Sequence, residues 1–478
     1  MRTSSGRLVG RKLSAFERLS WKATPYASIA HWFQILGPTD PQGLAIAIRE
    51  VYPRFAALQA TIESNRLVLR PELKPEVTVD EVADVTPESL AQLGGEEASR
   101  GLGSSHEACE GRSLWRAKVL REGWVMLTFH HAIADAHSIE LFIRELLEVL
   151  AVPDWKISHS DERHPPALSA TLTTLLEQRG GGQVAGKAVG QLARLANSCK
   201  SPGRCSKQCP VTLREGREWP APEDTADWQQ RQTRACTATL GAASRLRAAC
   251  RQRGVTVNAV LVASLACALR KRMSKSGKVS MQPILAFDTR RHIPDSDGLF
   301  GSYSLGGYGG KLKVGSDASL WDIAEQAKKL VQDVSSKSLA YTISWYMRFL
   351  TTAMGKQNMS WLNATLALNG PDQGRLNALL VSNTGLATGL SAAQFRVSEM
   401  FFISNQSAWG PFVWLNASTI NDKLCLTLCY VEPLLSRSNA EFLLHQVLTS
   451  LEEAVQSAPQ EQESEPEQSD NTLISVSL

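Results

Sequence analysis

The sequence has little excess of either charge. Its 51 lysines and arginines nearly balance 47 aspartates and glutamates, which leaves a formal net charge of +4 with neutral histidines. A protein that binds nucleic acid through its overall field carries a clear basic excess. We therefore expect no nucleic-acid partner, and any basic surface has to be local.

Cysteine is also scarce, with nine residues in a chain of 478. Cys267, Cys425 and Cys429 lie in apolar runs, as reduced core thiols do. Cys199 and Cys205 are separated by five residues, so they do not form the closely spaced ligand pairs of a zinc site. We expect reduced thiols, a reducing compartment and no metal.

Targeting and membrane-spanning segments are missing as well. Met1 to Lys12 is basic and serine-rich but contains no apolar core, so it does not resemble a secretory signal. Its lack of acidic residues leaves organelle targeting as an alternative. No apolar run approaches the roughly 18 residues that a transmembrane helix needs. The prediction is a cytoplasmic protein without a transmembrane helix.

What the sequence does have is enough apolar residues for more than one core. With 478 residues, 43% hydrophobic and 21% charged, the chain is longer than a single core supports and has ordinary globular composition. Residues 13–153 and 235–456 each alternate apolar strands with amphipathic helices. We predict two αβ subdomains, preceded by an N-terminal extension at 1–12.

The remaining segments differ in composition. Residues 154–234 are rich in proline, glycine, serine and basic side chains, which is typical of a long linker or insert. Its basic part could alternatively contact a membrane surface, a carrier protein or phosphates. Residues 457–478 are acidic without a base, and we expect a disordered tail there.

One segment concentrates chemically useful side chains. Trp124 to Phe129 is apolar with little alternation, which predicts a strand buried on both faces. Apolar residues at helical spacing follow from Ile139, with Ser138 as the expected N-cap. The residues His130, His131 and Asp135 therefore fall in a strand-to-helix loop.

Strand geometry separates the two histidines. Because successive strand residues point to opposite faces, His130 and His131 cannot both face one cleft. A histidine with a pKa near 6.5 can take up a proton at neutral pH. Asp135 could pair with an arginine or orient an imidazole. The alternatives are a packed histidine pair or a weak metal site, and adjacent histidines at a strand end fit zinc poorly.

These residues resemble a known signature. His130-His131-x-x-x-Asp135-Ala136 is similar to the H-H-x-x-x-D-G motif of the chloramphenicol-acetyltransferase-like superfamily of CoA-dependent acyltransferases, with alanine in place of the final glycine. The superfamily includes peptide-synthetase condensation domains, polyketide-associated and alcohol acyltransferases, and wax-ester synthases. Further similar elements occur in the family's order: Arg11–Leu19, Tyr52–Leu58, Gly254–Leu269 with Thr256 as a helix cap, Ile284–Arg290, Phe300–Tyr303, Val381–Gly385 and Leu424–Ser436.

The resemblance implies an α/β fold of two similar subdomains that form a pseudo-dimer with a tunnel between them. It implies His131 as general base, Asp135 as a structural partner of Arg290, and His130 as a core residue. Ser382, Asn383 and Thr384 are the implied oxyanion or substrate-binding candidates. Acyl-CoA would be a co-substrate, with no bound cofactor or metal, and a monomer would suffice.

The resemblance leaves several functions open. We favour O-acylation of an alcohol from an acyl-CoA, with an amine as the other acceptor class. A wax-ester or diacylglycerol synthase, for which the basic insert would be a peripheral membrane contact, and a condensation-type enzyme using a carrier-bound thioester are alternatives. A catalytically inactive docking protein is the alternative from another class, supported by Ala136, Ser302 and Asn258 at altered motif positions.

Overall fold

The computed structural model describes most of both predicted subdomains. The described residues are 10–24, 26–80, 85–103, 106–152, 167–171, 174–175, 231–273, 277–296, 298–336, 340, 342–344, 347–348, 351, 375–407 and 410–457. Most of the predicted insert at 154–234 and nearly all of the predicted acidic tail lie outside them. The predictions for those segments, for the cytoplasmic location and for a monomer stay predictions.

The first lobe is built on a six-stranded sheet with the order β14-β15-β2-β7-β6-β5. All neighbours in it are antiparallel except β5 and β6. Its strands are β2 (Ser28–Leu36), β5 (Glu76–Val79), β6 (Trp115–Val119), β7 (Trp124–His130), β14 (Ser391–Ala392) and β15 (Phe395–Ser404). Beside it lies a small sheet of β1 (Gly10–Lys12), β3 (Ala60–Glu63) and β4 (Arg66–Leu69).

The helices of this lobe begin at residues that the capping rules favour. Ser14 and Glu17 form a capping box at the first helix, and Asp40 and Thr86 cap the next two. The helices are α1 (Ala15–Lys22), α2 (Pro41–Val51), α3 (Pro87–Arg100), α4 (His106–Cys109) and α5 (Ala136–Ala151). Leu44 and Ile48 of α2 and Phe142 and Leu146 of α5 are fully buried in the core of the first lobe.

The second lobe has its own six-stranded sheet, with the order β11-β10-β13-β16-β17-β8. Its strands are β8 (Gln232–Leu240), β10 (Ile284–Asp288), β11 (Ser304–Tyr308), β13 (Arg375–Leu386), β16 (Gly410–Ile420) and β17 (Lys423–Glu432), and β9 (Val279–Met281) pairs with β12 (Leu312–Val314). The helices are α6 (Ala243–Gln252), α7 (Val257–Lys271), α8 (Leu320–Val334) and α9 (Arg437–Gln456). Thr256 caps α7, as predicted, by accepting the N–H of Ala259.

A third apolar cluster joins the lobes. Trp32 and Met126 of the first sheet pack there with Cys425 and Cys429 of the second. Across the same junction, Ser99 of α3 accepts the N–H of Thr233 at 2.9 Å. One strand from the C-terminal half of the chain joins the first sheet, because β15 pairs with β2.

Within the described ranges, no single helix is long and apolar enough to cross a membrane, although the bent pair Ala243–Gln252 and Val257–Lys271 passes by length and composition alone. The cysteines that the structure describes are free thiols. Cys425 and Cys429 are buried, and Cys267 is partly buried.

Candidate active site at the loop between β7 and α5

The strand that leads into the site is rigidly held. Every residue of β7 is buried, because it runs between β2 and β6 in the middle of the sheet. Its last residue, His130, lies opposite Ser28 of β2. The backbone N–H of His131 then donates to Ala27 at 2.7 Å, and that of Ile133 donates back to His130 at 3.0 Å. These backbone hydrogen bonds hold the loop in place without any contribution from side chains.

His130 is a structural residue with both ring nitrogens occupied. Its Nδ1 accepts the N–H of Ala132 at 3.1 Å, so Nε2 carries the proton and donates to Thr24 Oγ1 at 2.9 Å. Thr24 uses its own proton on the carbonyl of Trp21. Burial, with a smaller effect of the neighbouring His131, lowers the pKa of His130 to about 3. The side chain is neutral at physiological pH.

His131 has the opposite arrangement. Its Nδ1 lies 3.1 Å from the carbonyl oxygen of Ala134, which can only accept, so Nδ1 carries the proton. Ser302 Oγ lies 3.3 Å from the same nitrogen. Nε2 therefore presents a lone pair, and it has no hydrogen-bond partner among the residues that the structure describes. The ring packs against Phe16 of α1 in a T-shaped arrangement, with centroids 5.2 Å apart.

The electrostatics keep His131 in the basic form. Burial lowers the pKa of His131 below its ordinary value of 6.5, and the negative charge of Asp135 opposes that shift only in part. The imidazole is therefore neutral at pH 7 and available to accept a proton at Nε2. This is the state that a general base requires.

Asp135 has two structural roles. Its Oδ1 accepts the N–H of Ser138 at 3.1 Å, so Asp135 is the N-cap of α5 and the prediction of Ser138 as cap is wrong. The helix begins at Ala136, three residues earlier than the apolar pattern indicated. The pattern failed because the first turn faces the other lobe, where Ser138 is buried by polar contacts.

The second role of Asp135 is to form an ion pair with Arg290 of the second lobe. The guanidinium donates from Nη1 to Oδ2 at 2.9 Å and from Nη2 to Oδ1 at 3.0 Å, and both side chains are buried. The N–H groups of Tyr303 and Ser304 donate to Oδ2 as well. Although burial alone would raise it, the pKa of Asp135 is held far below its usual range by the charge and hydrogen bonds of Arg290.

Ser138 extends this contact between the lobes. Its Oγ lies 2.9 Å from Asp135 Oδ1 and 2.8 Å from the carbonyl oxygen of Gly301, and it accepts the N–H of Gly301 at 3.0 Å. Arg290 also packs over the ring of Tyr303, with its guanidinium carbon 4.7 Å from the ring centroid. The segment that carries Ser302 to His131 is thus positioned by the Asp135–Arg290 pair.

The oxyanion candidates lie elsewhere on the lobe boundary. Ser382, Asn383 and Thr384 occupy the end of β13 and line a cavity of about 150 Å³. Asn383 accepts the N–H of Gly385 at 3.0 Å. In the described part of the chain, the side-chain hydrogen bonds of His131 go to Ala134 and Ser302, and none reaches these three residues. Their oxyanion role stays a prediction.

Sequence reasoning missed several residues that surround the histidines. Phe16, Thr24 and Ser302 contact His131 or His130, and each lies far from the motif in sequence. Phe16 and Ser302 could have been found because they lie in Arg11–Leu19 and Phe300–Tyr303, two of the segments that resemble the family. Nothing in the sequence marked Thr24, because its role depends on how α1 ends against β7. No group of three or more histidine, cysteine, aspartate or glutamate side chains within the described residues could hold a metal ion.

Comparison with a family model gives one match. The alcohol acetyltransferase family matches residues 226–453, which is the second lobe and the end of the predicted insert. No curated protein matches the chain.

Solved structures match over nearly the whole chain. Trichothecene 15-O-acetyltransferase from Fusarium sporotrichioides is 13% identical, with a TM-score of 0.66 over 95% of this chain and 97% of that one. The condensation domain of the monacolin K polyketide synthase is 15% identical, with a TM-score of 0.62 over 94% and 98%. Polyketide synthase associated protein 5 from Mycobacterium tuberculosis is 15% identical, with a TM-score of 0.57 over 92% and 98%. The predicted two-lobe α/β fold is confirmed.

Proposed function

We propose that this chain, which belongs by its fold to the chloramphenicol-acetyltransferase-like superfamily, is an acyltransferase that moves an acyl group from acyl-CoA to a hydroxyl acceptor. The observation that carries the proposal is the state of His131. Its Nδ1 proton is committed to Ala134 and its Nε2 lone pair is unpartnered among the described residues. The match of residues 226–453 to alcohol acetyltransferases supports the same reaction class.

The proposed chemistry begins at that lone pair. The acceptor hydroxyl donates its proton to Nε2 of His131 while its oxygen attacks the thioester carbonyl carbon. The imidazole becomes positively charged. Asp135, whose negative charge is paired with Arg290, lies on the same loop as His131. The carbonyl π electrons move onto oxygen, giving a tetrahedral oxyanion. Ser382, Asn383 and Thr384 are the donors we propose for it.

The second step regenerates the base. The oxyanion collapses, the carbon–sulfur bond breaks, and the imidazolium returns its proton to the sulfur. The products are the ester and the free CoA thiol, so every proton is accounted for without a covalent acyl-enzyme. In this scheme Asp135 does not move a proton, because its pKa is held far below neutrality and both of its oxygens are occupied by Arg290.

A basic cavity next to α1 supports a phosphate-bearing donor. Lys12, Arg18, Lys22 and Arg66 line a space of about 360 Å³. The same helix places Phe16 against His131. Phosphates are recognised by clustered lysine and arginine side chains, so this cavity fits the phosphate groups of CoA.

The condensation-type alternative differs only in the source of the thioester. Its support is the similarity in fold to the condensation domain of a polyketide synthase. A carrier-bound phosphopantetheine would carry the same reactive group. The docking alternative would leave His131 without a chemical role.

The test is release of free thiol from acetyl-, hexanoyl- and palmitoyl-CoA with a panel of alcohols and amines. We expect acceptor-dependent release by the wild type and a decrease of about 10²–10⁴-fold in His131→Ala. His445→Ala, which changes an exposed histidine on α9, is the matched control and should retain the wild-type rate.

Three outcomes separate the alternatives. Equal rates in wild type and His131→Ala would overturn the general-base assignment. Transfer from a carrier-bound thioester but not from CoA would favour the condensation type. Binding of CoA without any release would favour the docking protein.

A further inference from the structure

The cavity that Ser382, Asn383 and Thr384 line at the lobe boundary is bounded by both halves of the chain. Its volume is about 150 Å³. The first lobe contributes His137 and Glu140 from α5, and the second contributes Asn258 from α7 and Phe287 and Asp288 from β10. Its lining mixes apolar and polar side chains. Such a space fits a small molecule with an apolar skeleton and a few polar groups.

Glu140 presents an unused acceptor to this cavity. The residue is only 4% exposed. Its Oε2 lies 3.6 Å from His137 Nδ1, while Oε1 has no hydrogen-bond partner within the described residues. A buried carboxylate oxygen is stabilised when it accepts a hydrogen bond, so Oε1 is available to a donor that enters the cavity.

Asn258 presents a second unused acceptor from the opposite lobe. It lies in the first turn of α7, behind the Thr256 cap. Its Oδ1 is buried and also has no hydrogen-bond partner in the part of the chain that is described. A ligand with two hydrogen-bond donors could therefore bind to both Glu140 Oε1 and Asn258 Oδ1.

The charges around the cavity limit the ligand further. Asp288 is paired with Arg290 at 3.1 Å, and Arg291 is exposed at the rim. Glu140 raises the pKa of His137, whose Nδ1 lies 3.6 Å from Oε2. Each carboxylate on the cavity thus has a basic side chain beside it, so a ligand without a charge of its own fits the site.

We propose that this cavity binds a neutral ligand through two hydroxyl or amide donors, one to Glu140 Oε1 and one to Asn258 Oδ1. Identifying it as part of the reaction rests on the proposed acyl transfer. Two substrates carry this chemistry. One is a small polyhydroxylated acyl acceptor, and the other is the pantetheine arm of the thioester donor, which has a hydroxyl and two amides.

The experiment measures binding to the full chain without turnover. The probes are the 1,2-, 1,3- and 1,4-cyclohexanediols, which scan the spacing of two hydroxyls on one skeleton, with cyclohexanol and pantetheine as comparisons. Dissociation constants are determined by ligand-observed NMR titration for the wild type, Glu140→Met and Asn258→Leu. Glu148→Met changes an exposed glutamate of the same helix and is the matched control. Circular dichroism melting establishes that each variant is folded.

We expect at least one diol to bind more tightly than cyclohexanol and to lose at least tenfold in affinity in both cavity variants. Glu148→Met should bind like the wild type. If pantetheine shows that loss and no diol does, the ligand is the donor arm. If folded variants bind every probe as the wild type does, or cyclohexanol binds as well as the diols, the assignment is wrong.

This result is independent of the acyltransferase test. Diol or pantetheine binding that depends on Glu140 and Asn258 would support the site even if no thiol were released. Conversely, acyl transfer that depends on His131 with no effect of these two residues would support the proposed function and overturn the site.

Discussion

The carboxylate of Asp135 and the guanidinium of Arg290, 155 residues apart in the chain, form a buried two-pronged ion pair between the lobes. The same carboxylate caps α5 and accepts two backbone N–H groups of the segment after Ser302. One side chain thus sets the start of a helix, the contact between two sheets and the position of a loop next to His131.

Removing that carboxylate should destabilise the protein strongly. Asp135→Ala removes the buried carboxylate that holds both Nη groups of Arg290 and leaves only the partly exposed Asp288 as a charged partner, so we expect a loss of about 3–5 kcal/mol in the free energy of unfolding. Glu145→Ala is the control, because the Arg54–Glu145 pair is substantially exposed and should be worth at most about 1 kcal/mol. Urea denaturation measures both. Similar losses in the two variants would contradict the structural role of Asp135.

The decrease in the reaction rate at acid pH should reflect protonation of His131. Because burial lowers its pKa below 6.5, the imidazole stays neutral and basic below the pH at which an exposed histidine becomes protonated. We expect kcat/KM to fall with decreasing pH with a midpoint below 6.5. The profile is measured with a saturating thioester and a sub-saturating acceptor. A midpoint above 6.5 would show that another group, or a differently placed His131, controls the rate.

A second histidine should control acid stability. His31 is fully buried, stacks on Phe402 with ring centroids 5.1 Å apart, and has neither ring nitrogen hydrogen-bonded among the described residues. Burial lowers its pKa to about 3, with Asp135 opposing the shift and His131 adding to it. As the pH falls from 6.5 towards 3, the unfolded chain binds a proton there that the folded chain does not, so stability falls by up to about 1.4 kcal/mol per pH unit.

His31→Leu should therefore lose stability less steeply than the wild type between pH 6.5 and 4.5. Urea midpoints at several pH values measure the slope, and His445→Leu on the exposed face of α9 is the matched substitution. His130, with a pKa of about 3, contributes its own slope in all three proteins. An unchanged slope in His31→Leu would mean that His31 is hydrated or hydrogen-bonded in solution.

The turn before β7 should tolerate no side chain. Gly123 has φ +74°, and a Cβ there would overlap the carbonyl oxygen of Ile35. Gly111 has φ +75° with nothing within 4 Å of the added atom. Gly111→Ala should cost about 1 kcal/mol from its left-handed backbone alone, and Gly123→Ala should cost clearly more. Thermal melting of the two variants separates steric from conformational strain, and equal losses would contradict the close approach to Ile35.

Much of the site was predictable because its signals are local or belong to a motif. The apolar run of Trp124 to Phe129 predicted a buried strand, and β7 is that strand. The cap at Thr256 follows from a rule that acts within one helical turn. The same capping rule did not identify the N-cap of α5. Both Asp135 and Ser138 are favoured cap residues, and only the contact with the second lobe distinguishes them.

Sequence patterns predicted the two αβ subdomains, the strand-to-helix loop with His130, His131 and Asp135, and the opposite directions of the two histidines. Three features were visible only in the folded chain: β15 joins the first sheet, Ala134 fixes the tautomer of His131, and Glu140 and Asn258 line one cavity. Periodicity and capping act over a few neighbouring residues, whereas sheet pairing, burial and contacts across 100 or more residues depend on how whole elements pack.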